Sequence, residues 1–209
     1  MEISYKSALK QIIDLLDQLE KEKVLKYYLV GGILVNIYSD FRITRDIDLV
    51  IDFQRSNFRI EDYIILLKKN DFFPFQDWNS TNYLARETKI IQFLDRTETV
   101  KYDNHVIDKF NKSKYKRLGP IALKRRVKET LFGVECWVTS KEDFILSKLV
   151  YGGWQDYSDA LGCWMRFKNV LDVQYMSKVS KELEIQKELN LLKSGIDDPD
   201  DYFNQINGY

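Results

Sequence analysis

Residues 27–53, YYLVGGILVNIYSDFRITRDIDLVIDF, hold the reading that decides the fold. The run 27–30 predicts a short strand, Gly31-Gly32 a turn, and the apolar-rich residues after it a helix of about two turns. A polar connection through Arg42 and Thr44 leads to a strand carrying Asp46-Ile47-Asp48. In an extended strand residues i and i+2 point the same way, so Asp46 and Asp48 project from one face with Cα atoms about 7 Å apart. Asp-x-Asp pairs and Gly-Gly turns often serve only solvation or turn geometry. Here the acids interrupt an apolar run, Ile47, Leu49, Val50 and Ile51, where a plain buried strand avoids them.

Two carboxylates so placed can share hard divalent cations such as Mg²⁺ or Mn²⁺, which take oxygen ligands and bridge protein acids to phosphates. Two ions roughly 3.5–4 Å apart would stabilise both the attacking and the leaving oxygen of a phosphoryl or nucleotidyl transfer. Gly31 and Gly32 suit the other half of such a site. Without a Cβ they let backbone approach a ligand closely, and the helix that follows directs N–H groups and its positive dipole end at an anion. The stretch reads as a cradle for a triphosphate and its metal.

Gly31-Gly32 followed, after a helix, by Thr44-Arg45-Asp46-Ile47-Asp48-Leu49-Val50 resembles the signature of the nucleotidyltransferase superfamily with the polymerase-beta-like fold. Within it the chain is most similar to small bacterial proteins grouped with the AbiEii-type toxin nucleotidyltransferases. The likeness extends to about Leu161, because Ser140-Lys141-Glu142-Asp143-Phe144-Ile145-Leu146-Ser147-Lys148-Leu149 matches a second landmark and Asp156 and Asp159 follow it. The resemblance implies an NTP substrate, metal on Asp46 and Asp48, and nucleotide contacts from Gly31, Gly32, Thr44, Arg45, Lys148 and Asp159. It makes Asp159 or Asp156 the acid that orients the lysine. From the residues alone, Lys148 reads equally as a surface lysine or as the partner of Asp143 or Asp156.

Segments 82–86 and 89–94 predict two further strands. In active relatives the corresponding strand carries a third acid, which accepts a proton from the attacking hydroxyl. Matching the runs places Gln92 there. A glutamine carbonyl can bind a metal, but the amide cannot act as a general base near neutral pH. Asp95 lies three residues on and faces the opposite side of an unbroken strand. A bulge could turn it inwards, and Asp103 or Asp108 could reach in from the loop expected to follow.

Around this core, 4–25 predicts an amphipathic helix with Ala8, Ile12, Leu15, Leu16 and Leu19 on the stripe that packs on a sheet, and 57–70 predicts a second helix. Residues 109–128 are rich in lysine and arginine with Phe110 and Tyr115 interleaved. A solvated loop and helix is preferred over an RNA-backbone surface, because no RNA-stacking motif accompanies the charge. Segments 126–130 and 134–138 predict a hairpin about Phe132-Gly133, and Ser140 caps the next helix.

The 209 residues suit a nucleotidyltransferase-like domain over 1–161, a helical extension over 162–196 and a flexible acidic tail over 197–209. Lysine plus arginine and aspartate plus glutamate each number 32, so no global basic field is available to hold nucleic acid. Cys136 and Cys163 are too few for a disulfide scaffold; with no export signal and no membrane-spanning run, a cytoplasmic protein without a membrane partner is expected. The expected architecture is α/β (α+β), a mixed, antiparallel-containing sheet flanked by helices and extended by carboxyl-terminal helices. The expected function is metal-dependent transfer of NMP from an NTP to an acceptor hydroxyl on RNA, tRNA or protein. The resemblance adds a toxin or defence role and an antitoxin protein as partner. Two alternatives stand beside it: a catalytically impaired member that binds nucleotide, RNA or a protein partner, which Gln92 supports, and an enzyme modifying a small molecule such as an aminoglycoside or lincosamide.

Overall fold

The structure, a computed structural model, describes residues 2–39, 44, 46–108 and 113–208. Helix α1 (Glu2–Lys21) leads into β1 (Leu25–Val30); a 3-10 turn at Gly31–Leu34 continues into the single turn α2 (Val35–Tyr38), and β2 is Asp46–Phe53. Then come α3 (Ile60–Lys69), β3 (Phe73–Pro74), α4 (Trp78–Thr88), β4 (Ile90–Leu94) and β5 (Lys101–Val106). Helix α5 (Lys114–Arg125) and the hairpin β6 (Val127–Leu131) and β7 (Val134–Val138) precede α6 (Lys141–Tyr151), α7 (Trp154–Phe167), α8 (Val173–Glu182), α9 (Gln186–Lys193) and α10 (Pro199–Asn207).

Among the described residues the strands form the expected mixed sheet, 7-stranded in the order β3-β4-β5-β2-β1-β7-β6. Pairs β2–β5 and β1–β7 are parallel and the remainder antiparallel. The chain divides into two compact units. The first (Met1–Ile33, Ile43–Asp108 and Arg126–Val138) holds the whole sheet with α1, α3 and α4, and the second (Leu34–Arg42, Lys109–Arg125 and Thr139–Tyr209) holds α2 and α5 to α10. The division is discontinuous in sequence, unlike a contiguous 1–161 body, because the β6–β7 hairpin joins the sheet after α5 has entered the other unit.

In the first unit, period-2 alternation writes the two faces of the sheet. Ile47, Leu49 and Ile51 of β2 are 0% exposed, while Asp46, Asp48 and Val50 stand half-buried on the opposite face. Helices α1 and α3 cover the apolar face: the Tyr102 hydroxyl donates to the Ala8 carbonyl at 2.8 Å, and Asn104 Nδ2 donates to the Tyr63 hydroxyl at 2.7 Å. Phe72, Phe93 and Tyr102 pack there with ring centroids between 4.9 and 5.6 Å apart. Each such buried aromatic contributes about 2 kcal/mol, so this face carries the stability and releases the other for polar groups.

Residues 82–86 are not the expected strand. They lie in α4, whose cap Asp77 accepts from the Asn79 and Ser80 N–H groups at 2.8 and 3.0 Å. Thr81 and Ala85, one turn apart, are its buried face, and Tyr83 and Leu84 are exposed. A good N-cap and one small apolar stripe outweigh the β preference of the aromatic residue.

The second unit is organised on α6. Ser140 caps it as expected, accepting from the Asp143 N–H at 3.2 Å. Phe144, Ile145, Leu146 and Leu149 are at most 1% exposed, against α5, α7, α8 and α9. The expected loose tail is instead α10: Asp198 accepts from the Asp200 and Asp201 N–H groups, Pro199 opens the helix, and Tyr202 is fully buried with its hydroxyl on the Glu188 carbonyl. The acids that suggested disorder are helix-start chemistry, favourable at the positive end of the dipole.

In the basic stretch, Arg117 pairs with Glu184 and Arg125 stacks on Tyr175, while Arg126 pairs with Glu20 and Lys128 lies over Trp137. Lys109, Phe110 and Lys112 lie outside the described residues. Cys136 and Cys163 are buried free thiols, pushed up to about 12 chiefly by burial. None of the described helices is long and apolar enough to cross a membrane.

Candidate functional site

Strand β2 lies between β1 and β5. Parallel pairing sets Asp46 opposite Lys101 and Asp48 opposite Asp103, and antiparallel pairing of β4 on β5 sets Gln92 opposite Asp103. Registered neighbours share a face. Gln92, Asp103 and Asp48 therefore form a row across three strands, on the face opposite the apolar one, with Lys101 and Asp46 one step along. Gln92 Nε2 donates to Asp103 Oδ1 at 2.9 Å. The Lys101 ammonium lies 2.9 Å from Asp103 Oδ2 and 3.8 Å from Asp46 Oδ2. Burial alone pushes that ammonium down; its hydrogen bond to Asp103 and the charges of Asp103, Asp46 and Asp48 outweigh this and hold it above the usual lysine range.

Tyr5 of α1 fixes the start of β2, donating to the Asp46 carbonyl at 2.8 Å. Burial first, then the charges of Asp48 and Asp46, push its phenol well above the usual range. Thr44 Oγ1 reaches the same carbonyl at 3.4 Å, a weak bond. Arg45 lies outside the described residues.

Val30 pairs with Asp48, so the chain turns immediately beside that carboxylate. Gly31 has φ +73°, and a Cβ there would lie 2.2 Å from Asp48 Oδ2. Any side chain at 31 would strain the backbone and displace the acid. Gly32 is buried in the 3-10 turn that follows.

Sequence matching gives Gln92 the place of the third acid. In the sheet β5 stands between Gln92 and β2, and the acid next to Asp48 is Asp103, a strand residue rather than a loop one. Strand β5, KYDNHV, is hard to read because one of its inward positions is Asn104, satisfied in part by Tyr63. The usable signal was period 2: Tyr102 and Val106 inward, Lys101 and Asp103 outward. Asp95 does not turn into the site. It is 2% exposed and accepts from the N–H groups of Thr97, Thr99 and Val100 and from the Thr97 hydroxyl, closing the β4–β5 turn. Burial pushes its carboxyl up, and those bonds together hold it below the usual range.

Among the described residues no three His, Cys, Asp or Glu side chains converge into a protein-only metal cage. The donor set nonetheless fits Mg²⁺, which keeps several waters and uses one or two carboxylates plus substrate phosphates. Hard oxygens share one face, the bare Cα of Gly31 lets the Asp48 carboxylate lie against the turn, and an ammonium already lies between Asp46 and Asp103.

In the second unit, Lys148 does not extend past the apolar face of α6. It is 6% exposed, with Nζ 2.8 Å from Asp156 Oδ1 and 2.7 Å from Asp159 Oδ2. Gln155 Nε2 donates to Asp159 at 3.3 Å. Asp143 is engaged by the Ser140 and Tyr175 hydroxyls at 3.0 and 2.5 Å, and burial raises its carboxyl above the usual range despite them.

No family model matches the sequence, and no curated protein matches it. Among solved structures, an antigenic nucleotidyltransferase-like protein from Paracoccidioides brasiliensis is similar, with 18% identity, TM-score 0.50 and an alignment covering 86% of this chain and 94% of that one. The chain has a nucleotidyltransferase-type fold. A lincomycin-bound lincosamide antibiotic adenylyltransferase, LnuA, aligns over 74% of this chain and 94% of its own at 18% identity and TM-score 0.42.

Proposed function

We propose that the protein moves a nucleoside monophosphate from an NTP to an acceptor hydroxyl, releasing pyrophosphate. The observation that carries this reading is the registered pair Asp48 and Asp103 beside a Gly31 that cannot bear a side chain. A divalent cation, Mg²⁺ or Mn²⁺, held by Asp46 and Asp48 would supply charge neutralisation on the triphosphate and on the departing pyrophosphate. The bare Cα of Gly31 lets the Asp48 carboxylate lie against the turn, where the triphosphate and its cation would meet it, and Gly32 is assigned to the same phosphate turn by resemblance to the family motif. Asp103 takes the proton of the acceptor hydroxyl as its oxygen bonds to the α-phosphorus and the bond from that phosphorus to pyrophosphate breaks. Gln92 holds the Asp103 carboxylate through Oδ1. It orients the base; it does not replace it.

Lys148 is assigned the narrower role of a buried ammonium positioned by Asp156 and Asp159, whose use towards phosphate requires one of those acids to let go. Thr44 and Arg45 complete the nucleotide contacts by resemblance to the family motif. The same motif likeness, to the AbiEii-type proteins, adds a toxin or defence role with RNA, tRNA or protein as acceptor and an antitoxin as partner. A second reading is favoured by the ion pair of Lys101 with Asp103: acids satisfied within the chain, and a protein that binds nucleotide without transferring it.

Label transfer from each α-labelled NTP, with Mg²⁺ or Mn²⁺ and a total cell extract, separates these readings. Native protein labels an acceptor, which its chemistry identifies as RNA, protein or small molecule. The Asp46→Asn, Asp48→Asn double variant and Asp103→Asn each lose on the order of 10³-fold, equivalent to about 4 kcal/mol of transition-state stabilisation. Metal-dependent NTP binding with no transfer by native protein would establish the binding-only reading.

A further inference from the structure

The face that carries the acids also carries a lysine that the proposed reaction does not use. Lys101 stands directly opposite Asp46 across the β2–β5 ladder, two residues from Asp103 on its own strand. Its Nζ is 2.9 Å from Asp103 Oδ2 and 3.8 Å from Asp46 Oδ2, and its side chain is 27% exposed. Sites that work with two metals hold the ions about 3.5–4 Å apart. The ammonium likewise carries positive charge between acids of two adjacent strands.

We propose that Lys101 is a built-in substitute for one of the two cations, so that the site takes a single divalent ion; the inference rests on reading Asp46 and Asp48 as the metal-binding acids and Asp103 as the base beside them. Charge supports it. Among the protein groups alone, three carboxylates and one ammonium leave two negative charges, which one divalent ion matches, whereas without the ammonium they would leave three. A second such ion would sit within a few ångströms of a fixed positive charge, inside the distance at which salt screens. An ammonium donates three hydrogen bonds and is compact, so it can satisfy acid oxygens where a metal would otherwise be required. Lys101 acts through Asp103 and Asp46 and is a positioning residue.

The test counts bound Mn²⁺ by electron paramagnetic resonance on the full chain, at saturating non-hydrolysable ATP analogue, for native protein, Lys101→Met and Lys101→Arg, with circular dichroism as the check of fold. Lys101→Gln serves in place of a methionine variant that does not fold. The expected result is one ion per chain in native protein, a doubling to two in Lys101→Met, and a return to one in Lys101→Arg, which restores the charge. Two ions in native protein, or one in both native protein and Lys101→Met, overturns the inference and leaves the metal-site reading standing. Mn²⁺ binding no greater than that of the nucleotide alone overturns both.

Discussion

Each unit holds a lysine between two aspartates, and the two clusters differ in their access to water. On the sheet, the side chains of Lys101, Asp103 and Asp46 are 27%, 16% and 43% exposed. In the helical unit, those of Lys148, Asp156 and Asp159 are 8%, 29% and 3% exposed. The first cluster stands on the β2–β5 ladder, where strand register fixes the spacing but leaves the carboxylates reachable. The second is closed between the last turn of α6 and the first turns of α7. Desolvation makes a buried pair costly to break, whereas a wet pair can exchange one cation for another at little cost. The same residue types therefore give a candidate site in one place and a fixed support in the other.

Removing each lysine should expose the largest difference between the two clusters. Lys148→Met leaves a nearly buried Asp159 without its cation and is expected to cost about 3 kcal/mol. Lys101→Met is expected to cost under about 1 kcal/mol, because water replaces the ammonium. Urea unfolding of both variants measures the difference, and equal losses would show that the two clusters are alike. The Lys101 contribution also has a pH signature. Its folded pKa is raised, so the small stabilisation is fully present below the unfolded value of about 10.4 and disappears as pH rises through the folded one.

Much of the first unit, and the start of α6 in the second, was legible because the determinants are local. Alternation in β2 with acids breaking the apolar run, the Gly31 turn, the hairpin at Phe132-Gly133 and the Ser140 cap each act within a few residues. What was not legible depends on partners far along the chain. Strand β5 buries Asn104, which no alternation rule places inside, and only its insertion between β2 and β4 makes Asp103 rather than Gln92 the neighbour of Asp48. Helix α4 is set by the Asp77 cap, and α10 by Tyr202 finding a buried place against the Glu188 carbonyl. The burial of Lys148 needed α7 to bring Asp156 and Asp159 back onto α6.

Two glycines sharpen the contrast next. Gly31 and Gly152 have φ +73° and +72°, so alanine at either position carries a similar backbone penalty, about 1–2 kcal/mol. Their neighbours differ: a Cβ at 31 meets Asp48 Oδ2 at 2.2 Å, and one at 152 meets the Tyr157 hydroxyl at 2.9 Å. Gly31→Ala must move the acid, whereas Gly152→Ala displaces only a tyrosine tip. Thermal unfolding should show comparable losses for the pair, while Mn²⁺ affinity should fall only in Gly31→Ala. A fall in both would mean that the Asp48 carboxylate is not what the bare Cα protects.

The smallest effect is expected at Gln92, and it decides how the sheet's acid row is divided. Its amide donates to Asp103 Oδ1 at 2.9 Å from a half-buried position that water can reach. Gln92→Ala should therefore cost less than about tenfold in label transfer, roughly 1 kcal/mol, since solvent takes over the lost bond. Gln92→Asp should lower transfer too, because it sets a second negative charge against Asp103 in place of a donor. Were Gln92 itself the residue facing the reacting hydroxyl, the aspartate variant would raise transfer and Asp103→Asn would change it little. Rate measurements on the three variants separate an orienting amide from a vacant base, because the two arrangements predict opposite signs for the same substitution.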